Sequence, residues 1–385
     1  MENLKIHNFG PIGEANINFG DLTILVGPQA SGKSLLLELL KLIIDKDFIL
    51  TSLRQYNYIL NNDFRKVLDI YFGDGMSKIV KSDTTVEFDN RRINFSDLVD
   101  SKRRKDKAKE RLFYIPAQRI LGIVDGRPRN FMEFDMSTPY VLRIFSETIR
   151  VFLQGEMGDP KNLFPIHVRL KDGLKQSFDH SIFHGGKIVM EESSGQKRMK
   201  MQIDDMILPF MTWSAGQKEF MPLLVAFYCL SGPPAKVIKK DNYQIVIIEE
   251  PEMGLHPQAI ISVLMEILEL LSSGKKVIVS THSATVLEFA WAFKILSKLP
   301  SEKQLNAICK LLKVNKSSSV GKMLTRVVNK DIKTYYFSRG ENGKVKTKDI
   351  STLNAGDENT DISEWGGISS FTSAATEIVY EYSNE

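Results

Sequence analysis

Eight consecutive residues constrain this 385-residue chain more than any other feature: Gly27-Pro28-Gln29-Ala30-Ser31-Gly32-Lys33-Ser34. They fit G-x-x-x-x-G-K-[ST], and they sit where that pattern has to sit, between the apolar run "LTILV" and the leucine-rich "LLLELLKLIID". A strand that turns through such a loop into a helix aims backbone N–H groups and a helix N-terminus at one point, which is where phosphate oxygens bind. Lys33 is then placed to reach the β and γ phosphates of ATP or GTP, and the Ser34 hydroxyl to ligate Mg²⁺.

A second stretch supplies what the loop needs. "QIVIIEEPEMGLHP" runs an apolar strand into the adjacent carboxylates Glu249 and Glu250. In an open parallel sheet, ligands lie at the carboxyl ends of the strands, so a strand parallel to the one before the loop delivers both carboxylates beside the phosphates. Glu249 is expected to hold Mg²⁺, directly or through water, and Glu250 to polarise the attacking water. Two buried carboxylates without a cation would be costly. The strand "KKVIVSTHS" follows after the helix "PQAIISVLMEILELLSS", and this strand, helix, strand alternation argues for a parallel sheet covered by helices. It ends in Thr281-His282-Ser283, where His282 can contact the γ-phosphate or orient water. "WSAGQKE" places Ser214, Ala215, Gly216 and Gln217 at the mouth of a helix, a small-residue turn able to present a hydroxyl and free N–H groups to an anion.

Elsewhere the pattern is mixed. "LKIHNF" and "ANINF" read as short strands ahead of the loop. Between Lys66 and Asp97 the runs "VLDIYF", "SKIVKS", "TTVEF" and "RRINF" predict an antiparallel β patch. A strand "RLFYIPAQR", a helical region around "PYVLRIFSETIRVFLQ" and strands "KIVME", "RMKMQID" and "MILPFMTW" precede the 214–217 turn, and the tail beyond Leu299 is mixed and ends polar. The expected division is an N-terminal ATPase lobe over 1–118, an inserted helical and β lobe over 119–212, a C-terminal ATPase lobe over 213–295, and an accessory or assembly segment over 296–385.

In this order, GPQASGKS, Gln118 in "YIPAQR", SAGQ, IIEEPEMGLHP and STHS resemble the phosphate loop, Q-loop, signature, acidic strand and switch histidine of ABC-type ATPase heads. The subgroup with paired glutamates, a proline and a Leu-His-Pro is the RecF-like and overcoming-lysogenization-defect (OLD)-like ATPases, and the resemblance spans roughly residues 1 to 290. It implies an α/β P-loop NTPase fold with a parallel-sheet core, an antiparallel β subdomain and an inserted helical lobe. It also implies that Gln118 senses Mg²⁺ and water, and that ATP is sandwiched between the phosphate loop of one subunit and Ser214 to Gln217 of another. Ala215 stands where transporters prefer Gly, and Glu249 where Asp is usual, so slow hydrolysis is expected.

What the chain lacks narrows the class. Only 95 positions separate Gln118 from Trp213, and a helix there of about 20 residues reaches roughly 30 Å, which excludes long coiled-coil arms. No apolar run approaches the roughly 18 residues of a membrane span, so neither a fused transporter nor a membrane partner is expected, and the N-terminus has no signal-peptide pattern, which predicts a cytoplasmic setting. After His282 no strand ends in a lone Glu followed by Asp-x-Asp, so the Toprim nuclease of full OLD proteins is not expected. Cys229 and Cys309 sit in apolar helical contexts and read as core thiols, and His180 and His184, beside Gly185 and Gly186, make a poor zinc pair. The net charge of +4 is uneven: "SKRRKDKAKER" holds a local excess of five positive charges, with Lys102, Arg103, Arg104 and Lys105 at its head. That run is either a solvated surface or a DNA or RNA phosphate contact. The expected function is an Mg-ATP-dependent head that dimerises, or forms a higher oligomer, and controls a separate effector, such as a nuclease, in an anti-phage or toxin-like system. A RecF-like DNA-repair clamp and an ATP-switched scaffold are the rivals.

Overall fold

The strand before the phosphate loop, Leu22–Val26, lies inside a ten-stranded sheet of the computed structural model, which describes all residues except 62, 99–107, 156–161, 167–168, 194, 234–237, 355, 369–374, 376–377 and 380–385. Leu112–Ile115, Ile245–Glu249, Lys276–Ser280, Leu22–Val26 and Ile332–Arg339 run parallel in that spatial order. Val345–Asp349 then returns antiparallel to Ile332–Arg339 and pairs in parallel with Ile12–Asn18. Asn3–Phe9, Val80–Phe88 and the two-residue Arg91–Arg92 complete the sheet in antiparallel pairings.

Leu22–Val26, Leu112–Ile115, Ile245–Glu249 and nearly all of Lys276–Ser280 are buried on both faces, which is why they read as apolar runs rather than alternating ones, whereas Ile332–Arg339 is only partly buried and reads as mixed. Leu22, Ile24, Val26, Val246, Ile248, Val277 and Val279 enter the core on one face, and Leu25, Ile247 and Ile278 the core on the other. Helix Lys33–Gln55 covers the second face, and helices Ala215–Leu230, Pro257–Ser272 and Ala284–Leu296 contribute to the core on the first. The result is the layered α/β P-loop architecture expected from the alternation. A separate four-stranded antiparallel sheet, in the order Met206–Pro209, Gln196–Ile203, Lys187–Ser193 and Asn162–Phe164, lies between Gln118 and the 214–217 turn. Helix Tyr140–Gly155 in the same stretch has 16 residues, and its Phe145, Ile149 and Phe152 share the core of the parallel sheet.

Two of the β-like runs depart from the sequence reading. "VLDIYF" is not a strand but most of helix Phe64–Phe72. Asp63 caps it by accepting from the N–H groups of Arg65 and Lys66, Gly73 at φ +113° follows it, and Val67, Leu68, Ile70, Tyr71 and Phe72 bury one side. A six-residue apolar run fits strand and helix equally, so the cap decides. "SKIVKS" likewise begins as a short 3₁₀ turn, Met76–Ile79, and only Val80 onward is strand.

Candidate active site

Both glycines of the loop are dictated by geometry. Gly27 has φ +145°, and a Cβ there would lie 2.8 Å from the Cβ and carbonyl oxygen of Phe337, on the neighbouring strand from the C-terminal segment. Gly32, at φ +91°, is the left-handed N-cap of helix Lys33–Gln55, and a Cβ would meet Ile12 at 2.9 Å. Ala30 adopts φ +55° without being glycine, and its carbonyl accepts a 2.9 Å hydrogen bond from the Arg339 guanidinium. The Lys33 ammonium donates to the carbonyls of Gly27 at 2.8 Å and Pro28 at 2.9 Å. Burial lowers its pKa to about 8, opposed by the attraction of Glu250, Glu249 and Glu252.

Glu249, the last residue of its strand, is 3% exposed. Its Oε2 accepts from the Ala117 N–H at 3.3 Å, whereas its buried Oε1 has no hydrogen-bond partner. Burial raises the carboxyl pKa, and the Ser34 hydroxyl, the Ala117 N–H and the Tyr114 hydroxyl work against that rise. An orphaned carboxylate oxygen beside the loop's serine hydroxyl is a donor set suited to a hard divalent cation, so Ser34 and Glu249 fit Mg²⁺. Gln118 adjoins Ala117, is exposed, and starts the 3₁₀ turn Arg119–Gly122 without its side chain capping it.

Glu250 follows at φ +43°, a left-handed backbone unusual for glutamate. Its N–H is tied to the Ser280 carbonyl at 2.8 Å, and its Oε1 lies 3.8 Å from His282 Nε2, with both side chains about one-third exposed. Burial, then Lys33, lowers the His282 pKa, which keeps the imidazole neutral at physiological pH, while Glu250 and Glu252 pull it up. The sequence reading passed over Glu252 in the same motif. Its Oε1 accepts from the Thr281 hydroxyl at 2.8 Å and the His282 N–H at 2.6 Å, so it fixes the turn that carries the histidine. The only hint was a third carboxylate two residues beyond the pair. Arg119 was also missed, since nothing in "PAQR" says that its guanidinium is fully buried.

The structure therefore gathers the phosphate loop, Glu249, Glu250 and His282 at the carboxyl ends of the parallel strands, with Gln118 alongside. The 214–217 turn stands on another support. Ser214 caps helix Ala215–Leu230 in a reciprocal capping box with Gln217, Gln217 also donates to the Ile182 carbonyl at 3.1 Å, and Ser214 and Ala215 are exposed. A Cβ on Gly216 would lie 2.6 Å from the Gly254 carbonyl, so the turn rests directly on the loop after the acidic strand. Lys102, Arg103, Arg104 and Lys105 lie outside the described residues.

A family model described as "AAA ATPase domain" matches residues 1–122, and one described as "AAA domain, putative AbiEii toxin, Type IV TA system" matches residues 195–288. The first contains the phosphate loop and Gln118; the second contains the 214–217 turn, both glutamates and His282. Both matched models are of AAA domains, and the motifs they contain fit an ABC-type ATPase of the OLD-like kind. A 56-residue stretch of the ATPase is 46% identical to the "Old nuclease" of Escherichia phage P2, covering 13% of this chain and 10% of the nuclease, so the match spans about a tenth of that relative. Among solved structures, the ATPase is similar to the SMC head domain from Thermotoga maritima (TM-score 0.38, 12% identity, 90% of this chain and 98% of that one). It is also similar to an SMC head bound to the C-winged helix domain of ScpA (TM-score 0.39, 14% identity, 90% and 96%). Among its described residues no helix is long and apolar enough to cross a membrane.

Proposed function

We propose that this ATPase hydrolyses Mg-ATP at a site shared between two copies of the chain, and that the nucleotide state controls a separate effector. The observation that carries the chemistry is the unpartnered, buried Oε1 of Glu249 beside Ser34, with Lys33 next to the same carboxylates. In this reading the loop N–H groups and Lys33 bind the phosphates, Ser34 and Glu249 hold Mg²⁺, and Gln118 reports on it. Mg²⁺, when bound, neutralises charge on the β and γ phosphates. Glu250 accepts the proton of the attacking water as general base. His282 lies 3.8 Å from that carboxylate and orients the same water.

The exposure of Ser214 and Ala215 at a helix N-terminus supports their use by a second subunit, because an exposed helix N-terminus favours an approaching anion. The effector and the anti-phage or toxin-like setting rest on the description of the matched AAA domain and on the short stretch shared with the phage nuclease. Measuring turnover and nucleotide affinity of Glu250→Gln tests the chemical core. ATP should bind with near-normal affinity while hydrolysis slows by roughly 10² to 10⁴, the usual worth of a general base. Unchanged turnover would remove Glu250 from the mechanism.

A further inference from the structure

Arg119 is fully buried, and its guanidinium donates to the backbone carbonyls of four residues. Nη1 donates to Glu249 at 3.1 Å, Glu250 at 3.3 Å and, weakly, Pro116 at 3.5 Å; Nη2 donates to Glu250 at 3.3 Å; Nε donates to Glu219 at 3.1 Å. These carbonyls come from the strand end before Gln118, the end of the acidic strand, and the first turns of helix Ala215–Leu230. Burial lowers the guanidinium pKa against the attraction of Glu219, Glu252, Glu250 and Glu249, and the Glu219 carboxyl is itself raised by burial. A buried cation bound to so many carbonyls is expensive to desolvate and is retained where a rigid five-donor fork is needed.

The carbonyl it grips twice belongs to Glu250, the residue held at φ +43°. A strained, non-glycine backbone persists only where its surroundings over-determine it. Here the Ser280 carbonyl fixes the Glu250 N–H and Arg119 fixes the Glu250 carbonyl. We infer that Arg119 is a positioning residue: it locks the left-handed backbone that aims the Glu250 carboxylate, and it ties that backbone to the helix carrying the 214–217 turn through Glu219. A shift of that helix is thereby passed to Glu250. Lysine, with one point of donation, cannot span the same carbonyls.

The inference rests on Glu250 acting as the base, and a double-mutant cycle separates the two ideas. Arg119→Gln, Glu250→Gln and the double variant are compared for kcat and for ATP dissociation constant. Arg119→Gln should lower kcat by roughly 10- to 100-fold, the scale of a small misplacement of a reacting group, and leave ATP affinity within about threefold. In the Glu250→Gln background the same change should cost no more than about twofold, because the carboxylate it positions is already gone. If Arg119→Gln does not melt cooperatively, Arg119→Lys decides by the same cycle. Wild-type kcat, an equal loss of kcat and affinity, or an undiminished effect in the Glu250→Gln background would each overturn the role. Wild-type turnover of Glu250→Gln alone would instead overturn the reading beneath it, and the inference with it.

Discussion

Lys33 is pulled two ways: burial among the loop carbonyls brings its pKa to about 8, while three glutamates favour the charged form. The free protein therefore begins to lose this charge as pH rises through about 8, whereas bound phosphate would hold the proton on. ATP affinity should be flat below pH 8 and fall above it by up to about tenfold per pH unit, the limit for one linked proton. Isothermal titration across pH 7 to 10 checks this, and Lys33→Arg should remove the inflection because a guanidinium does not titrate there. The sign for folding is the opposite. The folded pKa lies below the unfolded value of 10.5, so this group favours the folded state increasingly as pH rises from about 8 toward 10.5. At this scale the legible residues were those inside contiguous motifs. Glu249 was readable as a buried carboxylate at a strand end near the loop because its strand and the loop are both local patterns. Glu252 and Arg119 were not, because their roles depend on bonds to residues 29 to 131 positions away.

Among the elements, the strand Ile332–Arg339 does work that the mixed composition of its segment conceals. It pairs with the phosphate-loop strand, brings Phe337 against Gly27, and places Arg339 on the Ala30 carbonyl. Gly27→Ala should weaken ATP binding at least tenfold, since the new Cβ meets Phe337 backbone and side chain at 2.8 Å and φ +145° is strained for any L side chain. Nucleotide titration of that variant, beside its melting curve, separates loop distortion from unfolding. Tyr335 on the same strand closes a second seam: its hydroxyl accepts from the Asn18 N–H at 3.0 Å and donates to the Asn18 carbonyl at 3.1 Å. Tyr335→Phe loses both bonds and should lower stability by about 1–2 kcal/mol, read as a fall in the denaturant midpoint at constant slope. The run "VLDIYF" teaches the complementary lesson. Its apolar residues satisfied either period, and Asp63 ahead of it with Gly73 behind it were the local evidence for a helix.

For the whole molecule, the arrangement to test is the shared site. If Ser214 to Gln217 act on the partner's nucleotide, Lys33→Ala and Ser214→Arg should each be inactive alone and partly active when mixed. With free exchange, half the dimers are mixed and each has one intact site, so about a quarter of wild-type turnover should return if the sites are independent. Mixed dimers that form while turnover stays at the level of the separate variants would place hydrolysis within one subunit. The sequence by itself determined the phosphate loop, the acidic strand end, the capped turn at Ser214 and the parallel character of the strands around them. Each of these is a backbone requirement met within a few consecutive residues: positive φ at Gly32, a helix cap at Ser214, an apolar run buried on both faces at Ile245–Glu249. Only the tertiary structure decided that residues 332–349 bridge the parallel core to the antiparallel ribbon. It alone decided that Arg119 reads carbonyls from three segments, and that Gly216 must be small because Gly254 lies against it. Those contacts join residues far apart in the chain, and their free energy comes from satisfied buried polar groups and close packing that no local pattern encodes.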